Sequence, residues 1–162
     1  RGGVNDCLCD LIGLHDVCGF YPQSMLNGEP IYCCRIGRIE PESLGALADR
    51  IGRTLKAEFV RFSPGRESSA EKIAVCSGSG SGLAEEVIAS GADTFITGEL
   101  KYHDMLRLKE GGVACIEAGH YHTEYPIIPR IISHLQNELN ELQYKTAVLD
   151  AGFNEPYGSK SY

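Results

Sequence analysis

Two histidines and a glutamate stand close together in the stretch GHYHTE, which covers residues 119–124. His120 and Glu124 are spaced i, i+4, so both side chains lie on one face if the segment is helical. An imidazole and a carboxylate placed in this way suit a zinc, manganese or iron ion. His122 would point elsewhere, as a supporting or substrate-contacting group. The alternative is a capping role, with Thr123 as the N-cap and Glu124 solvated.

A second group of polar side chains follows Glu99 in the stretch KYHD, residues 101–104. Lys101 has the charge to bind an anion, and His103 has the chemistry of a general acid or base. The same residues also fit the solvated first turn of a helix, where Asp104 would lie near the positive end of the helix dipole. The residues alone support both interpretations equally.

A glycine-serine stretch, SGSGSG, covers residues 77–82 and precedes a predicted helix. Backbone amides at such a position can hold an anion. The stretch lacks the Gly-Lys-Ser/Thr of a Walker A loop, and Leu83 stands where a G-x-G-x-x-G motif needs its third glycine. A phosphate or substrate loop and a plain flexible turn both remain open.

The second half of the chain repeats a strand–turn–helix pattern that would position these residues. The predicted strands are residues 72–76, 94–97 and 113–117, and the predicted helices are residues 83–90, 101–110 and about 124–142. Short connections between alternating strands and helices favour βαβ units with parallel strands. Ligands of parallel sheets gather beyond the carboxyl ends of the strands. Three polar turns therefore meet at one edge, namely residues 77–82, 98–99 and 119–120.

The first half is less regular. We predict a short helix that is capped by Asn5 or Asp6 and ends at Gly13, followed by an irregular segment over residues 15–30. The remaining predicted elements are a strand over residues 31–39, a helix that starts at Glu40-Pro41 with an apolar stripe (Leu44, Leu47, Ala48, Ile51 and Leu55), a strand over residues 58–62 and a closing strand over residues 146–149.

These elements predict an α/β protein with a largely parallel or mixed sheet flanked by helices. We divide the chain into residues 1–71 (helix, strand, helix, strand), residues 72–150 (the βα repeat with the metal-site motif) and residues 151–162 (a loose tail).

Composition excludes several classes of protein. The formal charge is −7, from 15 Lys and Arg against 22 Asp and Glu, and residues 73–162 carry 6 bases against 12 acids. Such an acidic half disfavours nucleic acid as a partner. No apolar run approaches the roughly 18 residues of a membrane helix, so we expect no membrane contact. The 7 cysteines include no C-x-x-C pair, which favours reduced, structural thiols in a cytoplasmic or other intracellular protein over a disulfide framework.

Several motifs occur together in this sequence: GGVND, IAVCSGSGSG, GADTFITGE, KYHD and AGHYHTE. As a set they resemble the NIF-three-like proteins, also labelled GTP cyclohydrolase 1 type 2 homologues. The resemblance runs from Gly2 to about Leu149 and implies the NIF-three-like fold.

The resemblance also implies a centre with a pair of divalent transition metals (zinc, manganese or iron) in a deep cleft. His120 and Glu124 match the late metal ligands of that family, and Glu99, Lys101 and His103 match its motif beside the metals. The family's other ligands, a histidine pair and an aspartate, precede the GGVND stretch. We therefore expect this chain to be the C-terminal portion of such a protein and to supply only part of the site.

The function that the resemblance implies is that of a metal-dependent hydrolase-like protein. GTP, a related nucleotide or another small molecule would be the substrate, and Glu99 or His103 would move the proton. The family forms toroidal homo-oligomers and has protein partners, and an apolar strand over residues 31–39 would be a hazardous open edge in a monomer. The alternative function is a metal-stabilised oligomeric scaffold or protein-interaction module without turnover.

Overall fold

The computed structural model describes residues 2–152. The elements of this part of the chain are, in order, α1 (Val4–Ile12), β1 (His15–Leu26), β2 (Glu29–Ser43), α2 (Leu44–Leu55), β3 (Arg61–Ser63), β4 (Ser69–Ser79), α3 (Ala84–Ala89), β5 (Thr94–Glu99), α4 (Tyr102–Glu110), β6 (Ala114–Glu117), α5 (His120–Glu124) and α6 (Ile127–Glu141).

One mixed sheet with the strand order β1-β2-β4-β5-β6-β3 joins both halves of the chain. The strands β4, β5 and β6 are parallel, with Ile73 opposite Thr94 and Thr94 opposite Ala114. The other pairs, β1 with β2, β2 with β4 and β3 with β6, are antiparallel. The predicted α/β class with a mixed sheet flanked by helices is thus confirmed, and the parallel part is the predicted βαβ repeat.

Alternate residues of the central strands enter two separate apolar cores. In β4, Ile73 and Val75 pack with α1 and α2 on one face, whereas Ala74 and Cys76 pack with α3 and α4 on the other. The α2 stripe buries Leu47, Ala48, Ile51 and Leu55, as predicted. Each large apolar side chain that is buried stabilises the fold by about 1.5–3 kcal/mol. Because such side chains are buried on both faces of the sheet, the ends of the parallel strands are held in fixed positions.

The prediction of an irregular segment over residues 15–30 is wrong. These residues form β1 and the start of β2, joined by a two-residue turn. Both turn residues have positive φ, 52° at Asn27 and 84° at Gly28, as a type I′ hairpin turn requires. Pro22 is accommodated because β1 is an edge strand whose register shifts between Pro22 and Ser24.

The helix predicted to start at Glu40-Pro41 begins later. Residues 40–43 continue β2, and α2 starts at Leu44 because the Ser43 side chain accepts a hydrogen bond from the backbone N–H of Ala46, at 3.3 Å. Pro41 lies where the β2–β4 register shifts, between Arg38 and Glu42, so its missing N–H leaves no gap in the ladder. The predicted strand over residues 58–62 is shorter and later, Arg61–Ser63.

The single long helix predicted over residues 124–142 is two helices. Helix α5 ends at Glu124 and α6 begins at Ile127, because Pro126 has no N–H with which to continue α5. The predicted turn at residues 98–99 is the end of β5. The predicted strand over residues 146–149 does not form, and the Gln136 side chain instead accepts a hydrogen bond from the N–H of Val148 at 2.9 Å.

Strands from residues 1–71 and from residues 72–150 share the one sheet. The division of the chain into these two parts stays a prediction. The predicted tail lies outside the described residues from position 153 onward. Among residues 2–152, no helix combines the length and apolar character that crossing a membrane requires.

A half-buried ion pair fastens α1 to β2. The Arg35 guanidinium donates from Nε to Asp6 Oδ1 at 2.6 Å, and the backbone N–H groups of Gly2 and Gly3 donate to Asp6 Oδ2. The hydrogen bond from Arg35 is the main reason that the pKa of Asp6 falls from 3.8 to about 2. Since the folded-state pKa is lowered, the pair stabilises the fold above pH 3.8 and loses that effect as the pH falls toward 2.

We expect Asp6→Asn to lower the free energy of unfolding by about 1–2 kcal/mol near neutral pH. The loss relative to the unsubstituted protein should shrink between pH 3.8 and about 2, because the Asp6 carboxylate is then protonated. Urea unfolding at a series of pH values measures both effects.

The matched control is Asp10→Asn, on the same helix, whose side chain is 74% exposed and lies 3.6 Å from Arg130. This exposed pair should contribute little to stability, because both charges are solvated. Equal losses in the two variants, or a loss at Asp6 that does not depend on pH, would contradict the assignment.

Candidate functional site

A cleft of about 540 Å³ opens at the carboxyl ends of the parallel strands β4, β5 and β6. It contains residues from all three turns that the sequence analysis placed at one edge. The lining residues are Phe59, Arg61, Ser79, Ser81, Gly98, Glu99, Leu100, Lys101, Glu117, Gly119 and His120. Backbone hydrogen bonds join the turns to each other, from Gly80 N–H to Glu99 O at 3.1 Å and from Gly119 N–H to Gly98 O at 3.0 Å.

The His120 imidazole lies between two carboxylates in this cleft. Its Nδ1 atom is 3.2 Å from Glu99 Oε1 and its Nε2 atom is 3.3 Å from Glu124 Oε1. The predicted i, i+4 pairing of His120 and Glu124 on one helical turn is therefore present in α5. The two carboxylates contact opposite nitrogens of the ring, so they do not point at one common position. All three side chains remain about half exposed to solvent.

Helix α5 approaches the strand ends closely because two glycines face it. A side chain at Gly98 would place its Cβ 2.7 Å from Thr123 Oγ1 and 2.8 Å from the His120 Cα. A Cβ at Gly78 would collide with Glu124 Oε1 and lie 3.1 Å from His120 Nε2. The buried Thr123 hydroxyl accepts a hydrogen bond from Gly78 N–H at 3.0 Å and so connects α5 to the loop after β4.

Thr123 is therefore not the N-cap of α5, which was the alternative role for this residue. The N-cap of α5 is Gly119, and the Thr123 hydroxyl donates back to the carbonyl groups of Gly119 and His120, each at 3.0 Å. His122 points away from the cleft, and its Nδ1 atom lies 3.2 Å from the carbonyl oxygen of Leu55.

Of the two other predicted site residues, Lys101 and His103, only Lys101 lines the cleft. The backbone N–H of Lys101 donates to Ser81 Oγ at 3.0 Å. His103 lies exposed on the first turn of α4, in edge contact with the Tyr102 ring, and is not among the residues that line the cleft.

Two cleft residues that sequence reasoning missed are Glu117 and Arg61. Glu117 is only 6% exposed, and its Oε1 atom accepts hydrogen bonds from Arg61 Nη2 at 2.6 Å and from the N–H of Leu100 at 3.2 Å. Within residues 2–152, no group donates a hydrogen bond to its buried Oε2 atom. An acidic residue at the end of an otherwise apolar strand was the available signal for Glu117. The position of Arg61 depends on the β3–β6 pairing, which crosses more than 50 residues of sequence.

A second missed feature is a cluster of three thiols. The sulfur atoms of Cys33, Cys34 and Cys76 lie within 4.8 Å of one another, close enough to hold a metal ion. Asn5 lies beside them, because its amide donates to the carbonyl of Cys33 at 2.6 Å and accepts from the N–H of Ser77 at 2.7 Å. All 7 cysteines are free thiols and lie within the described residues.

The arrangement around His120 fits part of a divalent metal centre. A neutral imidazole nitrogen and a carboxylate oxygen from Glu124 are donors that zinc, manganese and iron accept. The space in front of them is kept clear by the absence of a side chain at Gly78. Two donors are fewer than the three or four that stable protein sites provide. His120 and Glu124 alone therefore do not make up a complete ligand set.

Comparison with known proteins identifies the family. The profile of Duf34/NIF3 (NGG1p interacting factor 3) matches residues 1–154. The chain belongs to the Duf34/NIF3 family. It is 29% identical over 167 aligned positions to a GTP cyclohydrolase 1 type 2 homolog of Clostridium acetobutylicum, covering 99% of this chain and 60% of that protein.

Two further Duf34/NIF3 relatives extend the comparison. NGG1-interacting factor 3 of Saccharomyces cerevisiae is 30% identical over 154 residues, covering 88% of this chain and 53% of that protein. The crystal structure of a Bacillus cereus protein related to NIF3 superposes with a TM-score of 0.86 at 15% identity, covering 99% of this chain and 70% of that one, which shows a shared fold. The chain spans 46–60% of the length of three of the curated relatives that it matches.

Gly78→Ala should displace the Glu124 side chain from His120. Its loss of stability should be similar to that of Gly82→Ala. The added Cβ meets the end of the flexible Glu124 side chain, which can move. We expect weaker binding of a divalent ion such as Mn²⁺ in the full-length protein, measured by calorimetric titration.

Gly82→Ala is the matched control in the same loop. Both glycines have positive φ, 65° and 84°, but a Cβ at Gly82 meets no atom within 4 Å among the described residues. Both variants should lose roughly 1–2 kcal/mol through the left-handed backbone, and Gly82→Ala should bind the ion normally. Equal ion affinity in the two variants contradicts the assignment of Glu124.

Proposed function

We propose that this chain forms part of a metal-dependent, hydrolase-like centre with His120 and Glu124 as ligands. The observation that carries the proposal is the position of the His120 ring, 3.2 Å from Glu99 through Nδ1 and 3.3 Å from Glu124 through Nε2. If Nδ1 carries the proton and directs it at Glu99, the lone pair of Nε2 faces Glu124 and is available to an ion. Carboxylate–histidine–metal arrangements of this kind orient the ring and raise its basicity.

A pair of divalent transition metals, when bound, would lower the pKa of a coordinated water and polarise the substrate. The chain's own residues have distinct tasks around that chemistry. Glu99 fixes the His120 ring and is the better placed proton acceptor, because it lines the cleft and His103 does not. Lys101, on the same rim, supplies positive charge for an anionic group of the substrate.

The substrate that we propose is GTP, a related nucleotide or another small anionic molecule. The cleft presents two cationic side chains, Arg61 and Lys101, beside the aromatic ring of Phe59, a combination that suits phosphate groups and a planar base. The name of the Clostridium acetobutylicum relative, GTP cyclohydrolase 1 type 2 homolog, agrees with this class. We place the activity in an intracellular compartment, where the free thiols stay reduced.

His120→Ala should lower the divalent metal content of the purified full-length protein by the metal of the cleft, without unfolding the protein. Loss of a ligand leaves Glu124 alone on this side of the centre, and His120 is not part of either apolar core. Plasma mass spectrometry measures the metal, and release of product from GTP measures turnover, which should fall with the metal content.

His134→Ala is the matched control, because His134 lies exposed on α6 away from the cleft. It should leave both metal content and turnover unchanged. Unchanged metal in His120→Ala would remove His120 from the ligand set, and metal without turnover on nucleotides would exclude GTP and related nucleotides as the substrate.

A second candidate function is an oligomeric scaffold, favoured by the apolar surface of the hairpin and of α6. The strand that was expected to be an open edge, β2, is an inner strand of the sheet and therefore does not itself call for a partner. The part of β2 that precedes Arg35, however, pairs only with β1, and this two-stranded ribbon exposes 65% of Met25 and 60% of Leu26. Isolated two-stranded ribbons are marginal in water.

Helix α6 presents a further apolar surface, because none of its residues is buried and it exposes Ile131 and Leu135. We propose that the full-length protein is a homo-oligomer and that protein partners use the same faces. The name of the yeast relative, NGG1-interacting factor 3, supports the proposal of a protein partner.

Met25→Glu with Leu26→Glu should shift the full-length protein to a smaller species in light scattering at micromolar concentration, because charges are then placed in the contact. Tyr144→Glu, another exposed apolar position but outside the ribbon and α6, is the control. A monomeric mass for the unsubstituted protein contradicts the oligomer.

A further inference from the structure

The three-thiol cluster consists of residues other than those of the centre proposed above, although the charge of Glu124 acts on the nearby Cys76 thiol. Cys34 and Cys76 are 0% and 4% exposed, and Cys33 is partly buried and packs against the same core. The proposed hydrolase-like centre uses none of these thiols. Three nucleophilic sulfur atoms within 4.8 Å of one another therefore have no assigned task.

Sheet register brings the thiols together. Strands β2 and β4 are antiparallel, and their pairing ends with Arg35 opposite Val75, so Cys34 and Cys76 are the next residues on the two strands. Both side chains enter the core on the α3 and α4 face of the sheet. Asn5 holds the adjoining backbone on both strands through the carbonyl of Cys33 and the N–H of Ser77.

The distances between the sulfur atoms suit a single thiophilic ion. Zinc–sulfur bonds of about 2.3 Å place the sulfur atoms of one site about 4 Å apart, so the thiols need to close by less than about 1 Å. Soft thiolate ligands select zinc, copper(I) and iron–sulfur groups over magnesium or calcium. Within residues 2–152, no His, Cys, Asp or Glu adds a fourth ligand atom to the group.

Charge favours a divalent ion over copper(I). Three thiolates leave one net negative charge around Zn²⁺ and two around Cu⁺, and buried net charge is costly. The hydrogen bond to Cys76 and burial raise the pKa of Cys34, and burial raises the pKa of Cys33, so an ion must displace protons from the thiols to bind. The Arg35 guanidinium is close enough to both to offset part of the negative charge.

We propose that Cys33, Cys34 and Cys76 bind one zinc ion as thiolates, at a site separate from His120 and Glu124. Binding replaces three S–H bonds with three S–Zn bonds and releases three protons to solvent. Since Cys33 is only partly buried, its side of the cluster admits the ion and a water as fourth ligand. The bound ion ties β2 to β4 immediately before the loop that carries Gly78, and this site does not depend on the proposed hydrolase function.

Cobalt(II) titration of the reduced full-length protein tests the proposal, because cobalt bound to thiolates shows a sulfur-to-metal charge-transfer band. The band should appear with one equivalent, disappear on addition of Zn²⁺ and be lost in Cys34→Ala. It should persist in His120→Ala, which separates this site from the one in the cleft. Zn²⁺ should raise the Tm of the unsubstituted protein and leave that of Cys34→Ala unchanged.

Cys115→Ala is the matched control, since Cys115 is buried in the same core but is not a member of the cluster. It should keep the band and the Zn²⁺-dependent rise in Tm. If Cys34→Ala does not fold, Cys33→Ser at the less buried position serves instead and should also lose the band. The proposal would be overturned if the band were absent in the reduced protein or persisted in Cys34→Ala. It would also be overturned if Cys34 and Cys76 formed a disulfide and the protein, once reduced, still bound no metal there.

Discussion

The close approach of α5 to the ends of the parallel strands is the constraint on which the candidate site depends. Gly78 and Gly98 have no side chains, so α5 can lie against the backbone that follows β4 and β5. Thr123 then fixes the distance through its hydrogen bond with Gly78 N–H. As a result His120 reaches the carboxylate at the end of the neighbouring strand, and the ring is oriented before any ion or substrate is present.

The same strand ends make the rest of the cleft polar without exposing it fully. Glu99 ends β5 and Glu117 ends β6, yet only Glu117 is buried, where Arg61 compensates its charge. The accessible carboxylate lies next to His120, and the buried one lies beneath the cationic rim. This division places an accessible carboxylate and two cationic side chains on different parts of one cleft, which is the arrangement that the proposed hydrolysis of an anionic substrate requires.

The sequence predicted the parallel half of the fold well because its signals are local. Glycine-bounded strands and helices alternate from β4 to β6, and the i, i+4 spacing of His120 and Glu124 needs only one helical turn. The N-terminal hairpin was missed because Gly19, Pro22, Asn27-Gly28 and Pro30 together indicate an irregular segment, although Asn27-Gly28 is also a strong hairpin signal. The cysteine cluster was beyond reach, because it depends on which residue of β2 pairs with which residue of β4.

The central claim is that His120 offers Nε2 to a metal ion while Glu99 holds the proton on Nδ1. Nitrogen NMR of the His120 ring in the full-length protein, recorded with and without Zn²⁺, tests this claim most directly. We expect the Nδ1 signal to be that of a protonated nitrogen in both states and the Nε2 signal to shift on addition of the ion. In Glu99→Gln, we expect the proton on Nδ1 to be less stable. A shift confined to Nδ1, or no change at either nitrogen, would contradict the account.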